Sequence, residues 1–516
     1  SGQIQWIRQI GGTGSDFAND VAVDTNGNPV IVGSFSGTIS GAINLTNHNP
    51  SSFTDIYVAK FDTNGTTLWA RHEGAVFAND LGRSVSVTAA GDVYICGSSF
   101  QTTFGTTVIT NTGRILLVKY GSDGTRIWAR KLGDNPGHAN DVAHAVATDN
   151  LGNVVIAGVF QSTSIGLANV ITNQGGIDGF VAKYNTSGTL MWNQSLGGPG
   201  NEAALNLALD ASGNIFVGGE FNSILSAGAL QLTRSANSVQ DGFVARLDAN
   251  GNAVWLQAIG GGSVASVRGV TIGPAGNVFL TGYFAGDATI GVATFSSIKN
   301  TLDLFVLELQ PDGQVRNFQQ AGGESSGGDI GNAIALSAVG DQTVAGSFTG
   351  EVVVGSHSAQ SAGGTDVFIS RYAGIPSTPL SLSFTLNPPN VIFSWPVEHS
   401  GYIVQEKINA LIGVPWQDRN VPLVITNGPS FRILQRRLDD PVLVRALLDD
   451  RVVPDRTVFP DLQRDDAALL LRGLVLLRAH AQGILRHVDL GERSTIPKVG
   501  YASRHKASAS PIGRRA

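Results

Sequence analysis

The feature that most constrains the fold of this chain is a long repeat punctuated by glycines. Six turn glycines recur at intervals of 61 to 64 residues, and a second glycine follows each of them after six residues. The turn glycines are Gly27, Gly91, Gly152, Gly213, Gly276 and Gly340, and the second glycines are Gly33, Gly97, Gly158, Gly219, Gly282 and Gly346. A period of this length indicates several copies of one supersecondary unit.

Each unit carries a second signature, which in its fullest form reads Asp-x-(Phe/Tyr)-Val-Ala-Lys. Its copies begin at Asp55, Arg114, Asp178, Asp241, Asp303 and Asp366. A tryptophan column accompanies it at Trp6, Trp69, Trp128, Trp192 and Trp255, and Asn317 occupies that column in the last copy. Asn-Gly pairs between apolar runs, as at Asn26-Gly27 and Asn64-Gly65, indicate hairpins with type I′ turns. Two hairpins in every unit predict four strands.

The repeat predicts an all-β fold, a six-bladed β-propeller over residues 1–373. A linear β-solenoid is the alternative, although its repeats are usually shorter. The last unit ends at Tyr372 after its third strand, and the chain opens with a lone strand at residues 4–7. We therefore expect residues 3–8 to pair with residues 366–372 and to close the ring without a free edge.

Composition excludes several classes of function. Residues 1–372 hold 16 basic and 27 acidic residues, so they offer no basic face to nucleic acid. The single cysteine, Cys96, excludes an internal disulfide and a multi-cysteine metal site. No apolar run approaches the ~20 residues that span a bilayer. We expect a monomer that binds neither nucleic acid nor the membrane interior.

Residues 1–372 resemble the bacterial β-propeller repeat family of large exported and surface proteins. The resemblance rests on motifs such as Asp178 to Lys183 and Trp192 to Gly198. It implies a secreted or cell-surface location, and it says little about activity. The family is often described as seven-bladed, whereas six units are counted in this chain.

The rest of the chain divides into three segments. Residues 374–379 are predicted to form a linker, and residues 380–435 are similar to a small immunoglobulin- or fibronectin-like β-domain at the end of such exported proteins. That similarity rests on Val391 to Pro396 and Gly401 to Gln405. Residues 436–516 are rich in Arg and Leu and are predicted to be partly helical or disordered. An appended tail and a frame-shifted gene end are both open interpretations of this segment.

One column of acidic residues supplies the candidate ligand-binding site. Eleven residues before the turn glycines stand Asp16, Asp80, Asp141, Glu202, Ala265 and Asp329. We expect the five acids to gather on one face, where they could bind Ca²⁺ or attract a basic ligand. The competing interpretation is that each carboxylate accepts backbone N–H groups within its own loop. A structural need recurs in every unit, and repetition therefore favours this second interpretation.

No catalytic motif is found, and we assign no catalytic residue, no metal ligand and no cofactor apart from the open question of Ca²⁺. His72, His138 and His144 lie on or near predicted crossing loops, but their spacing is not that of metal ligands. We expect a non-enzymatic binding or structural module whose long loops bind a glycan or a protein. The alternatives are a glycan-cleaving enzyme and a quinone-dependent dehydrogenase, whose docking motif resembles Asp62-x-x-Gly65-x-x-x-Trp69.

Overall fold

The computed structural model divides into two compact units, Ser1–Ser377 and Thr378–Ala516. It describes residues 4–48, 53–75, 78–100, 103–104, 107–109, 113–134, 140–165, 170–323, 327–337 and 340–372, and after these seven strands between residues 383 and 448. The described residues are nearly all β-structure. The one helical element among them is the 3-10 turn Ile298–Asn300.

The described part of the first unit contains, besides small hairpins, six repeated antiparallel sheets, which are called sheets 1 to 6 in chain order. Their inner strands are Asp16–Val23, Leu81–Val87, Val142–Thr148, Glu202–Leu209, Val264–Ile272 and Ile330–Leu336. The second strands are Pro29–Ser36, Val93–Ser98, Val154–Phe160, Ile215–Phe221, Val278–Ala285 and Gln342–Val354. The third strands are Thr54–Phe61, Ile115–Tyr120, Asp178–Tyr184, Asp241–Leu247, Asp303–Leu309 and His357–Tyr372. The outer strands of sheets 1 to 5 are Thr67–Glu73, Arg126–Leu132, Leu190–Leu196, Ala253–Gly260 and Val315–Ala321.

Strands pair in chain order within each sheet, which confirms the four-strand unit for sheets 1 to 5. The inner strands of successive sheets pack side by side from sheet 1 to sheet 6. Apolar side chains fill the space between neighbouring sheets. Val32 and Val58 of sheet 1, for example, are buried in one cluster with Ile95 and Val118 of sheet 2.

The expected pairing of residues 3–8 with residues 366–372 is not seen among the described residues. Residues 4–9 are not in a strand, and the third strand of sheet 6 pairs only with its second strand. Val367 and Ile369 on that third strand are accordingly 84% and 78% exposed.

The Asn-Gly turns correct the expectation of type I′ geometry. Gly27 has φ of +83°, whereas Asn26 is not among the residues with positive φ. The Gly27 N–H donates to the carbonyl of Asp24 at 3.0 Å, and the Asp24 N–H donates to the carbonyl of Asn28 at 3.0 Å. The Asp24 carboxylate accepts the N–H groups of Asn26 and Asn28, both at 2.9 Å. The carboxylate therefore stabilises a wider turn, in which only glycine needs a left-handed backbone.

The lysine of the third-strand signature is buried in sheets 1 to 3. Lys60 lies 2.8 Å from the carboxylate of Asp24, and both side chains are at most 5% exposed. Lys183 with Asp149 repeats this ion pair in sheet 3, and in sheet 2 Lys119 pairs with Asp92, which follows the turn glycine. Burial opposes ionisation of Asp24, but the bonds from Lys60 and Asn28 outweigh it and lower the pKa of Asp24. The pair fastens the first turn to the third strand.

A β-bulge explains the second glycine of every unit. The inner strand of each sheet shifts register opposite that glycine, for example between Ala204 and Asn206 opposite Gly219. A Cβ atom on Gly219 would lie 1.9 Å from the carbonyl oxygen of Ala203 and 2.7 Å from the ring of Phe243. The bulge directs that carbonyl at the second strand, and only glycine leaves room for it.

The tryptophans join each sheet to the next one. The Trp69 indole N–H donates to the carbonyl of Ser122 at 3.0 Å, and its ring covers Gly124, where a Cβ atom would lie 2.6 Å from the indole. Trp128, Trp192 and Trp255 repeat the bond to the next sheet. Trp6 occupies the same place against sheet 1, with its N–H on the carbonyl of Thr63 and its ring over Gly65. The motif that resembles a quinone-docking sequence is therefore part of this contact between sheets.

The boundary between sheets 5 and 6 lacks this tryptophan, as the sequence predicts. Asn317 occupies the column, and the turn of sheet 6 that would correspond to Gly124 follows Tyr372 and lies outside the described residues. Phe318 packs on Phe295 instead, with ring centroids 3.6 Å apart. No indole of the tryptophan column therefore joins sheets 5 and 6.

The loops between second and third strands contain small hairpins, which the sequence analysis did not predict. The strand pairs are Thr38–Gly41 with Leu45–Thr46, Thr103–Phe104 with Thr107–Val108, Ser164–Ile165 with Ile171–Thr172, Ile224–Ala227 with Leu230–Thr233, and Asp287–Ile290 with Ala293–Ser296. Several of them pair with the segment that leads out of the preceding sheet. Gly260, for example, pairs with Thr289, and the short strand Ile10–Gly12 pairs with Thr38–Gly41. The long loops are thus held by backbone hydrogen bonds.

The second unit is also β-structure. One sheet contains Ser383–Asn387, Asn390–Pro396, Leu423–Ile425 and Ser430–Gln435, and another contains Tyr402–Ile408, Gln417–Asp418 and Val442–Leu448. The last of these strands lies in the segment predicted to be partly helical or disordered, so β-pairing continues beyond residue 435. The rest of residues 436–516, including the predicted helical segment, lies outside the described residues.

Candidate functional site

All five predicted acids stand where an inner strand begins. Asp16 and Glu202 are the first residues of their strands, and Asp80, Asp141 and Asp329 each precede a strand by one position. Inner and third strands run in the same direction within a sheet. The acids therefore share one end of their sheets with the aspartates that begin the third strands, and we call this the acidic end.

The crossing to the next sheet brings acids of two sheets together. The Asp80 N–H donates to the carbonyl of Thr54 at 2.8 Å, which places Asp80 beside Asp55. Glu202 and Asp329 make the equivalent bonds to Ile177 at 2.7 Å and Leu302 at 2.9 Å. We call Asp55–Asp80, Asp178–Glu202 and Asp303–Asp329 the carboxyl pairs. Each pair joins the third strand of one sheet to the inner strand of the next.

Most of these carboxylates are bonded to backbone N–H groups of the loops. Asp80 accepts from Ala75 at 2.6 Å and from Phe100 at 2.8 Å. Asp16 accepts from Gly12 at 2.7 Å, and Asp329 accepts from Gly323 at 3.0 Å. The Asp141 carboxylate accepts from Gln161 at 2.7 Å and also binds Ser162. The carboxyl groups thus cap Gly-rich loops.

Glu202 differs from the other four acids. It is 1% exposed, and neither of its carboxyl oxygens has a hydrogen-bond donor. Burial, and then the charge of Asp178, raises the pKa of Glu202 to about 8. Burial and the neighbouring charge of Asp178 favour the protonated form of Glu202, whose O–H would donate to the Asp178 carboxylate.

The other pairs shift in the same direction. Burial, and then the charge of Asp303, raises the pKa of Asp329 to about 7. Burial, with a smaller part from Asp55, raises the pKa of Asp80 to about 6 against the hydrogen bonds that favour its ionised form. The pairs therefore hold protons at a pH where exposed carboxyl groups have lost them.

Two boundaries depart from the paired pattern. Between sheets 4 and 5 the acid is replaced by Ala265, and Asp241 accepts the hydroxyl of Ser238 at 2.5 Å. Between sheets 2 and 3 the third-strand acid is replaced by Arg114, whose guanidinium lies 4.0 Å from the ring centroid of Phe100 and interacts with Asp80 and Asp141. The acidic residues of this column therefore cap their loops with partners that differ from one sheet boundary to the next.

A glutamine at position 202 tests the protonated pair. The raised pKa means that the folded protein holds a proton that the unfolded chain has lost, so stability falls as pH rises from 4.5 to about 8. Glu202→Gln should equal the wild type near pH 4.5 and exceed its free energy of unfolding by roughly 4 kcal/mol near pH 8. Equilibrium urea unfolding across that pH range is the measurement. Exposed Glu351→Gln is the control, and a Glu202→Gln difference that does not change with pH would contradict the prediction.

His72 and His144, two of the three histidines singled out in the sequence, lie on different sheets. His72 lies on the outer strand of sheet 1, 3.5 Å from Asp55, and is joined there by His48, which the sequence analysis did not select. His144 lies on the inner strand of sheet 3, where burial lowers its pKa to about 4. His138 lies outside the described residues.

A cavity of about 490 Å³ lies at the opposite end of the sheets. It is lined by the ends of inner strands, such as Leu209 and Ile272, and by first turns, such as Ser212 and Gly276. None of the carboxyl pairs lines it. The cavity and the predicted acids are therefore separate features.

Comparisons with known proteins support a β-propeller repeat family. Residues 5–31 match the family model described as beta-propeller repeat. An uncharacterized WD repeat-containing protein, L264 of Acanthamoeba polyphaga mimivirus, is 27% identical over 213 residues, which is 34% of this chain and 15% of the viral protein. This chain thus spans a small part of that relative's length.

Solved structures give weaker likenesses. A mutant puromycin hydrolase in complex with PGG is 13% identical, with a TM-score of 0.34, over 74% of this chain and 59% of that one. A protein of unknown function from Dyadobacter fermentans DSM 18053 is 10% identical, with a TM-score of 0.29, over 69% of this chain and 95% of that one. Among the described residues there is no helix with the length and apolar character that a membrane crossing requires.

Proposed function

We propose that this chain is a non-enzymatic binding module of an exported bacterial protein, and that it binds its ligand at the acidic end of the sheets. The observation that carries the proposal is the anchoring of the long loops. Hairpins such as Asp287–Ile290 with Ala293–Ser296 pair with the preceding sheet, and buried carboxylates hold the neighbouring crossings. A fixed set of loops presents one surface without the entropy cost of ordering on binding.

The exposed side chains of these loops favour a protein ligand over a glycan. Val170, Val239 and Val292 are 56%, 75% and 105% exposed on the loops of sheets 3, 4 and 5. Exposed apolar side chains on rigid loops suit contact with a protein. Sugar rings usually stack on aromatic side chains, and among the exposed large hydrophobic residues of the described part only Phe17 is aromatic.

The enzymatic alternatives receive less support. Glycoside hydrolysis needs two carboxyl groups that reach the substrate, at a separation of ~5–9.5 Å. Asp55 and Asp80 are both fully buried, and Asp80 is bonded to loop N–H groups. The quinone-docking resemblance involves Gly65 and Trp69, which serve contacts between sheets.

Binding arrays of extracellular proteins and of glycans test the proposal. Val170→Ser, Val239→Ser and Val292→Ser combined should abolish a protein signal, whereas Leu68→Ser and Val254→Ser on outer strands should retain it. Leu68 and Val254 match the loop valines as exposed apolar residues, at 51% and 47%. Glycan turnover, or protein binding that the loop variant leaves unchanged, would overturn the proposal.

We also propose that the propeller closes with residues 4–9 as the outer strand of sheet 6. Trp6 already stands against sheet 1 as the other tryptophans stand against their next sheets, and Val367 and Ile369 are left exposed. Lys60 faces Trp69 in sheet 1, and the same register places Ile7 opposite Ser370. Ile7→Cys with Ser370→Cys should form a disulfide under mild oxidation, and Ile7→Cys with Ser358→Cys should not. Equal cross-linking of both pairs, or of neither, would contradict closure in this register.

A further inference from the structure

One cluster of side chains at the acidic end of sheet 1 does not follow the repeat. His48 Nδ1 lies 2.6 Å from Asp55 Oδ2, and His72 Nδ1 lies 3.5 Å from the same oxygen. The two imidazole rings are stacked, with centroids 4.8 Å apart and planes at 19°. One potential ligand atom from each of the three residues lies within 4.8 Å of the other two.

Two strands fix most of this cluster. Asp55 lies on the third strand, and His72 lies on the outer strand directly opposite Tyr57, two positions further along. Because side chains alternate across a strand, Asp55 and His72 share one face of sheet 1. The loop supplies His48, whose backbone N–H also donates to Asp55 at 3.0 Å.

Polar atoms inside the cluster lack partners. Asp55 is fully buried, and its Oδ1 accepts no hydrogen bond. Nδ1 of His72 is likewise buried without a hydrogen-bond partner. A buried carboxylate oxygen and an imidazole nitrogen without partners are costly, so a cation bound between them would satisfy both.

Comparison with sheets 3, 4 and 5 shows which parts of the cluster are needed to cap the loop and which are specific to sheet 1. The bond from a loop N–H to the third-strand aspartate recurs at 2.7 Å from Gln174 to Asp178, from Ser235 to Asp241 and from Ile298 to Asp303. The positions that match His48 and His72 are occupied there by Gln174 with Ser195, Ser235 with Ala258, and Ile298 with Gln320. Capping therefore needs neither histidine, and the pair is an addition specific to sheet 1.

We propose that His48, Asp55 and His72 form a binding site for one Zn²⁺ ion. Two imidazole nitrogens and one carboxylate oxygen are a donor set that suits Zn²⁺, at ~2.0–2.2 Å for each bond. Ca²⁺ takes six to eight oxygen ligands, and the cluster supplies too few. The side chains of His48 and His72 are 39% and 30% exposed, so solvent reaches the ion and leaves a position open for a water molecule or a ligand group.

The site goes beyond the proposed binding function and does not depend on it. It joins the loop residue His48 to two strand residues, so Zn²⁺ would fasten the first long loop to sheet 1. Binding should therefore raise the thermal stability of the protein, because the ion binds the folded chain and not the dispersed ligands of the unfolded chain.

The test uses the full chain after treatment with chelator and removal of the chelator. Isothermal titration with Zn²⁺ should give one saturable site for each chain, and Zn²⁺ but not Ca²⁺ should raise the melting temperature. His48→Gln and His72→Gln should each weaken Zn²⁺ binding at least tenfold. Glutamine is chosen because Gln174 and Gln320 occupy the matching positions in sheets 3 and 5, so the fold should be kept. Circular dichroism of both variants checks this.

His357→Gln is the matched control, since His357 lies on sheet 6 outside the cluster and is exposed. It should bind Zn²⁺ as the wild type does. The visible absorption of Co²⁺ as a substitute ion should report nitrogen and oxygen ligands and should disappear in both cluster variants. Absence of a saturable site, or Zn²⁺ affinity that folded His48→Gln and His72→Gln variants retain, would overturn the proposal.

Discussion

Replacing Gly219 with alanine should destabilise the protein by roughly 3 kcal/mol, although the change adds one methyl group. The added Cβ would lie 1.9 Å from the carbonyl oxygen of Ala203, which is far inside van der Waals contact. That oxygen belongs to backbone held in the bulge of sheet 4, so it cannot rotate away as a side chain would. Relief requires the inner strand to move and to lose part of its pairing. Equilibrium urea unfolding followed by tryptophan fluorescence measures the effect.

Gly363→Ala is the control for this substitution. A Cβ atom on Gly363 would meet nothing within 4 Å, and its φ is not in the left-handed region. Its free energy of unfolding should stay within about 0.5 kcal/mol of the wild type. Equal stability of the Gly219→Ala and Gly363→Ala variants would mean that the bulge does not press on the second strand.

The sequence predicts the sheets well because the repeat samples one structure six times. A single apolar run such as Phe180 to Ala182 could belong to several folds. Its recurrence beside a turn glycine and a tryptophan fixes its place as the third strand of a four-stranded sheet. The absence of an indole at Asn317 is predicted correctly for the same reason, because the tryptophan column shows which copy of the repeat has a different residue at that position.

Details of backbone geometry were not predictable from the same columns. Gly219 and its equivalents could be recognised as constrained, but the bulged partner strand that constrains them has no conserved residue type of its own. The turn of Asp24 to Asn28 contains Asn-Gly, yet the aspartate carboxylate stabilises a different turn from type I′. The sequence does not show the buried ion pair of Lys60, because its acidic partner Asp24 lies 36 positions earlier on another turn.

The candidate sites illustrate a second limit. Counting back from the turn glycines shows that Asp16, Asp80 and Glu202 hold the same position in their units. It does not show which residues of neighbouring units come together in the fold. Each carboxyl pair joins two different positions of neighbouring units, as Asp178 and Glu202 do, so no single column shows the pair. His48 lies in a loop of variable length without a column, and only the fold brings it to Asp55 and His72.

Replacing Trp69 with alanine should cost roughly 3–5 kcal/mol, which is the largest loss of stability expected of any single substitution considered for this protein. Trp69 is 7% exposed, packs near Tyr120 and covers Gly124 of the next sheet. Alanine would leave a cavity between sheets 1 and 2 that the rigid turn at Gly124 cannot fill. Loss of the bond to the Ser122 carbonyl adds a smaller part, because water can reach that exposed turn.

Trp69→Phe separates the two contributions. The phenyl ring fills most of the cavity but cannot donate to Ser122, so the loss should be near 1 kcal/mol for the bond plus a modest packing term. Equilibrium unfolding of both variants gives the comparison, and Asn317→Ala at the boundary without an indole gives the reference. If Trp69→Ala and Trp69→Phe are equally destabilised, the hydrogen bond rather than the covered glycine joins the sheets. If neither exceeds Asn317→Ala, the tryptophan column does not hold neighbouring sheets together.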